Sequence, residues 1–184
     1  MGLASDGGHL TPVKHRRGHA AQFPARCLQQ GCARAIISTP SRRSLNAGGH
    51  QFSFGAQVRV AEDRAPATTS TIIQKGSSSS SNGRWRLRLN RMQGKPYCLV
   101  KGTKGFLRMH SPTGIVDGTW HQLTCVRKGR SVTLFVDGEV VAARTGPIGR
   151  VSNGAPIRVG GINTVTKTNQ FFGRLDNVKL RIRR

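Results

Sequence analysis

Carboxylates are scarce in this chain. Among 184 residues only seven are acidic: Asp6, Glu62, Asp63, Asp117, Asp137, Glu139 and Asp176. Against them stand 30 Lys and Arg, for a formal net charge of +23. So few acids argue against enzymes built on carboxylate clusters, such as two-metal nucleases and carboxylate-pair glycosidases. Glu62 and Asp63 are adjacent, so on a strand they would face opposite sides. The six histidines show no HExxH or HxH spacing, and no serine sits in a GxSxG elbow. The chain therefore reads as a non-enzyme. Aromatic residues make up 5% of it and most occupy core positions, which leaves few rings for stacking nucleic-acid bases. No run of about 18 apolar residues occurs, so no transmembrane helix is expected. No window of eleven or more residues carries a 3.6-residue apolar period, so helices are not expected either.

What is abundant is arginine, 22 residues against 8 lysines. The charge is not confined to a tail. Residues 1–40 carry a net +4 and residues 41–184 a net +19. Such a surface attracts polyanions; the alternative is an arginine-rich composition that decorates any solvated face.

Residues 1–25 read as a flexible, disordered basic tail rich in Gly and His. They lack the apolar stretch of a signal peptide. From residue 26 to 184 the chain reads as one domain of short strands. His50 to Val60 (HQFSFGAQVRV) alternates cleanly: Phe52, Phe54, Ala56, Val58 and Val60 face one way, Gln51, Ser53, Gln57 and Arg59 the other. In RWRLRL, Trp85, Leu87 and Leu89 point inward and Arg84, Arg86 and Arg88 outward. In the last strand Val178, Leu180 and Ile182 alternate with Lys179, Arg181 and Arg183. Asp137-Gly138 joins two further strands as a hairpin turn. Further short apolar runs at 35–38, 71–75, 97–101, 106–109, 120–127 and 156–159, with Gly-rich turns, complete an all-β sandwich or barrel.

Four cysteines allow three connectivities. The economical one pairs Cys27 with Cys32 and Cys98 with Cys125; buried free thiols are the alternative. The CxxxxC spacing is wider than a zinc knuckle. Disulfides imply an oxidising compartment, hence an extracellular or cell-surface site, against the missing signal peptide.

The run DGTWHQL at 117–123 continues into TCVRKGRSVTLFVDGEVV, then PIRVGG, then FFGRLDNVKLRI. This ordered set resembles a laminin-G-like domain of the concanavalin A-like lectin/glucanase superfamily, of the exported bacterial kind, over residues 34–183. The resemblance implies a two-sheet antiparallel jelly-roll sandwich in which Trp120 anchors the core. It also implies a module that binds carbohydrate or a surface protein partner. Structural calcium is the metal it offers, at Asp176, with a carbonyl near Gly48 or Gly49 as a second ligand. By strand alternation Asp176 shares the inward side of Val178, Leu180 and Ile182, where an acid needs a partner. The family's glucanases carry a carboxylate cluster on one strand; this chain has none. His121 follows Trp120 as a rim residue rather than a base.

Three functions remain. The first is a glycan or protein-binding module. The second is an assembly module of a bacterial surface or phage particle. The third is a basic protein that binds nucleic acid or other polyanions without specificity. Were the strands at 84–89 and 174–182 neighbours in one sheet, Arg84, Arg86, Arg88, Lys179, Arg181 and Arg183 would form one polyanion patch. The oligomeric state is not legible in the sequence.

Overall fold

The computed structural model describes residues 1–27, 29, 31–165 and 169–184. Among these residues there is no α-helix, and fourteen strands form. The first seven are β1 (Gly2–Asp6), β2 (Thr11–His15), β3 (Gly18–Gln22), β4 (Arg34–Thr39), β5 (Gln51–Arg59), β6 (Thr69–Lys75) and β7 (Arg84–Asn90). The others are β8 (Lys95–Gly102), β9 (Gly105–His110), β10 (Trp120–Lys128), β11 (Ser131–Val136), β12 (Glu139–Thr145), β13 (Ile157–Val159) and β14 (Arg174–Arg183). They make two antiparallel sheets of seven. Sheet A runs β1-β4-β13-β6-β7-β8-β9, and sheet B runs β12-β11-β10-β5-β14-β3-β2. The chain changes sheet at β1 to β2, β3 to β4, β4 to β5, β5 to β6, β9 to β10, β12 to β13 and β13 to β14. This is the two-layer jelly-roll sandwich that the resemblance implies.

Period-two alternation places the core between the layers. Phe52, Phe54, Ala56, Val58 and Val60 are at most 1% exposed, and Leu87 and Leu89 are fully buried. They meet Cys98, Val100, Leu123, Cys125 and Leu134 from neighbouring strands. Trp85 is the core tryptophan, 4.5 Å from the Phe54 ring. Trp120 is not: it pairs with outward-facing Arg59 and stands half-buried on the outer face of sheet B. At the β11–β12 turn Asp137 and Gly138 both take positive φ, 53° and 91°. A two-residue hairpin of matching twist needs that at both central positions.

Residues 1–25, expected as a disordered tail, are instead built into both layers. Each residue of β1 has a partner on β4, from Gly2 opposite Ser38 to Asp6 opposite Arg34. The hairpin β2–β3 extends sheet B beyond β14. These strands are held by backbone pairing and by the buried side chains of Ala20 and, just after β3, Phe23. None of this requires the apolar alternation by which inner strands are recognised.

Two disulfides form with the economical pairing, Cys27–Cys32 and Cys98–Cys125. In the loop between the first pair, Leu28 and Gln30 lie outside the described residues. Cys98 is on β8 and Cys125 on β10, both fully buried, so the second bridge joins the two sheets through the core.

Two buried cations hold the loops. Arg127, inward at the end of β10, donates from Nε to the Gly129 carbonyl and from its terminal nitrogens to those of Gly48, His50 and Gly149. The Lys75 ammonium donates to Ser41 Oγ and to the carbonyls of Asn153 and Ala155. Burial pushes Lys75 down to about 8. In both cases three or more oxygen acceptors replace the lost water.

Candidate binding faces

The two basic stripes do not meet. β7 is in sheet A and β14 in sheet B, so Arg84, Arg86 and Arg88 lie on one outer face of the sandwich and Lys179, Arg181 and Arg183 on the other. The expected six-residue patch is two separate faces. Strand order is set by pairings distant in sequence, and the alternation within each strand gives no sign of it.

Asp176 is also displaced from its expected side. Leu175 pairs with buried Val58 and points inward, so Asp176, opposite Gln57, points outward. The register then shifts between Asp176 and Lys179, with Asn177 at φ 48°. This bulge restores the inward direction for Leu180 and Ile182. The Asp176 carboxylate accepts the Asn177 backbone N–H at 2.6 Å and meets His15 Nδ1 at 2.6 Å. His15 comes from the N-terminal hairpin, and its ring stacks on Trp120 at 4.0 Å, 16° from parallel.

Calcium does not fit here. Gln57, opposite Asp176, and Gln51, next to the Gly48–His50 turn, are six residues apart on β5, or about 20 Å along a strand. The Gly48 carbonyl already accepts from Val151 N and from Arg127. Among the described residues no group of three His, Cys, Asp or Glu side chains stands ready to hold a metal ion.

The outer face of sheet B carries a furrow of about 200 Å³, lined by Ser53, Gly55, Gln122, Thr124, Lys179 and Arg181. Its floor is low because β5 carries glycine at position 55, where a Cβ would lie 2.1 Å from the Leu123 carbonyl oxygen. Lys179 and Arg181 wall one side. Trp120, two residues before Gln122 on the same strand and the same face, stands about 7 Å further along. Gln57, Gln122 and Asp176 form one rung across three strands between them. The face thus joins an indole, amides, hydroxyls, a carboxylate and two cations. The sequence placed Ser53 and Gln57 outward but gave no sign that small residues would open a furrow there.

At the rim, the two recognition motifs are joined by His121. Its Nδ1 lies 2.7 Å from Asp137 Oδ2 and its Nε2 3.0 Å from Asp117 Oδ2. Burial favours the neutral imidazole, but its hydrogen bonds to the Asp137 and Asp117 carboxylates and their charges outweigh it, so the His121 pKa is raised. Burial opposes the charge on Asp117 as well. Hydrogen bonds from Thr119 and His121 prevail, and its pKa is lowered. His121 therefore bridges two turns through both of its ring nitrogens.

A wider cleft of about 740 Å³ opens among the loops, with Arg42, Arg43, Asn46, Asn82, Arg150 and Asn153 in its lining. Its lining contains no aromatic ring.

On the outer face of sheet A the arginine stems lie across the sheet and cover Thr71, Gln74, Tyr97 and Leu99, all under 9% exposed. Burial, then the neighbouring Arg86, pushes Arg88 down to about 10.

Comparison with known proteins agrees with this architecture. The family profile described as the concanavalin A-like lectin/glucanases superfamily, of laminin G type, matches residues 34–182. No curated protein matches. Among solved structures, domain 4 of AbnA, a GH43 extracellular arabinanase from Geobacillus stearothermophilus in complex with arabinotriose, superposes with a TM-score of 0.72. It is 16% identical, over 97% of this chain and 80% of that one. Domains LG4-5 of the mouse laminin alpha1 chain give 0.61 at 16% identity, over 79% of this chain. This chain spans 38% of that laminin structure. The binding domain of botulinum neurotoxin serotype G gives 0.65 at 12% identity, over 98% of this chain and 43% of that one.

Proposed function

The chain belongs to the laminin-G-like group of the concanavalin A-like lectin/glucanase superfamily, and from that premise we propose that it is a non-catalytic, exported module that binds carbohydrate along the furrow of sheet B. The observation that carries the reading is the make-up of that face. A sugar ring offers an apolar face and a rim of hydroxyls. It is held by one aromatic platform with amides and charged groups at its edge. Trp120, half-buried with His15 stacked on its ring, supplies the indole, and Gln122, Thr124 and Asp176 supply polar groups on neighbouring outward positions of β10 and β14. The loop cleft supplies only the second kind. The complex of the AbnA domain with arabinotriose shows that a sandwich of this shape accommodates a neutral oligosaccharide. Export is supported by two disulfides, one of them internal to the core.

The test is calorimetric titration of the protein with arabinotriose and a panel of neutral oligosaccharides, alongside Ser53→Trp, which fills the furrow from an outward position. At least one neutral glycan should bind and lose about tenfold or more in affinity in the variant, the equivalent of about 1.4 kcal/mol. A panel without binders, or binding untouched by Ser53→Trp, overturns the reading.

A further inference from the structure

The outer face of sheet A has a different chemistry, independent of the furrow. Register aligns Ser38, Arg158, Gln74, Arg86, Leu99 and Arg108 in one row across six strands. Thr71, Arg88, Tyr97 and His110 form the next row, and Arg84, Lys101 and Phe106 a third. Six bases stand in these three rows, and Lys95 adds a seventh opposite Asn90. The strands β4, β13, β6, β7, β8 and β9 contain no acidic residue at all, and the one acid of β1, Asp6, is opposite Arg34. None of the ion pairs among the described residues lies on it.

The bases are laid down in order. Arg158 and Arg86 are two strands apart, as are Arg86 and Arg108, giving about 10 Å between successive guanidinium stems. Along β7 the intervals between Arg84, Arg86 and Arg88 are about 7 Å. The Nε atoms of all three β7 arginines are buried without a hydrogen-bond partner, as is the hydroxyl of Thr71. Arg88 reaches Gln74 at 3.1 Å and Arg84 the Ser77 carbonyl at 3.0 Å. Arg86, in the middle, makes no hydrogen bond or ion pair among the described residues. Arg108 lies over both Tyr97 and Phe106, 5.9 and 5.7 Å from their ring centres. Contact with two rings restrains the guanidinium. A planar guanidinium so held offers paired N–H donors to a sulfate or carboxylate.

Like charges fixed at these intervals repel one another, and the protein supplies no counter-charge. An anionic chain lying across the strands would meet a cation at each second strand. We propose that this face is a second binding surface, for a linear acidic polysaccharide bearing sulfates or uronates at regular intervals. Nucleic acid is disfavoured because stacking successive bases needs several open rings: Tyr97 is covered, which leaves Phe106, exposed but lying against Arg108. With the furrow on the opposite face, the module joins two polymers, one neutral and one acidic.

The experiment compares dextran sulfate, polygalacturonate, uncharged dextran and random duplex DNA at low and near-physiological salt. Three variants are set against the parent protein. Arg86→Gln/Arg108→Gln removes two charges from the row. Arg108→Gln alone touches only an exposed residue and spares the fold. Lys128→Gln/Arg130→Gln removes two charges from the exposed β10–β11 turn, away from the face of sheet A. The row variant should weaken both acidic polysaccharides about tenfold and Arg108→Gln about threefold, with the turn variant within twofold of the parent. Dextran should bind to none through this face. Equal losses in the row and turn variants would mean that only the net charge was sensed, and would overturn the proposal. Duplex DNA binding more tightly than either polysaccharide would overturn it in favour of a nucleic-acid surface. Ser53→Trp should leave acidic-polymer binding intact, so failure of the furrow and failure of this face are told apart.

Discussion

His121 shows how one residue of the DGTWH motif ties two turns together. Each of its nitrogens faces a carboxylate, one from the turn before β10 and one from the β11–β12 turn. Its folded pKa is raised above the ordinary 6.5. The stabilisation is therefore complete below pH 6.5 and is lost as pH rises through the folded value. Asp117 is lowered from 3.8, so its share is present above that pH and lost as pH falls through the folded value. His121→Gln should lower stability by about 1–2 kcal/mol in mildly acidic buffer. The gap in melting temperature between parent and variant should narrow towards pH 8. A gap that stays constant across pH would mean that the imidazole is held neutral.

At the scale of elements, the N-terminal hairpin reaches across sheet B to lay His15 on Trp120 and against Asp176. His15→Ala removes both contacts and should cost about 1–2 kcal/mol. It should also shift tryptophan emission to longer wavelength, because Trp120 becomes wetter while Trp85 stays in the core. Unchanged emission would show that the hairpin does not cover Trp120 in solution. This hairpin also marks the boundary of what the sequence discloses. The eleven strands from β4 to β14 are legible in the sequence, β5, β7 and β14 from period-two alternation and the others from short apolar runs between turn residues. β1 and β2 are edge strands and β3 lies second from the edge, where backbone pairing and a buried Ala20 suffice. The direction of Asp176 was misread because a bulge at Asn177, a non-glycine in the left-handed region, reverses the count midway along β14. The arginine stripes were each legible, but their opposite placement depends on a sheet assignment that no local pattern encodes.

For the molecule as a whole, one covalent link fastens layer to layer. Cys98 and Cys125 are 27 residues apart, and closing such a loop in the unfolded chain is worth about 3–4 kcal/mol. Cys98→Ala/Cys125→Ala should lose about that much in denaturant unfolding, with the added penalty of a small core void. A loss under about 1 kcal/mol would mean that packing alone holds the layers together. The net charge of +23 works the other way, since dispersed like charge disfavours compaction.

The same bridge has a kinetic consequence. Thiol exchange needs an attacking thiolate to reach one of the sulfurs, and here both are sealed from solvent. Cys27–Cys32, with Cys27 half-buried, lies nearer the surface and is open to exchange in the folded state. The inner bridge behaves as a latch: once the sandwich has closed over it, a reductant can act only on molecules that have first come apart. Survival of that bond in a reducing medium then counts unfolding events one by one, and the outer bridge serves as the reference that reports the reductant itself.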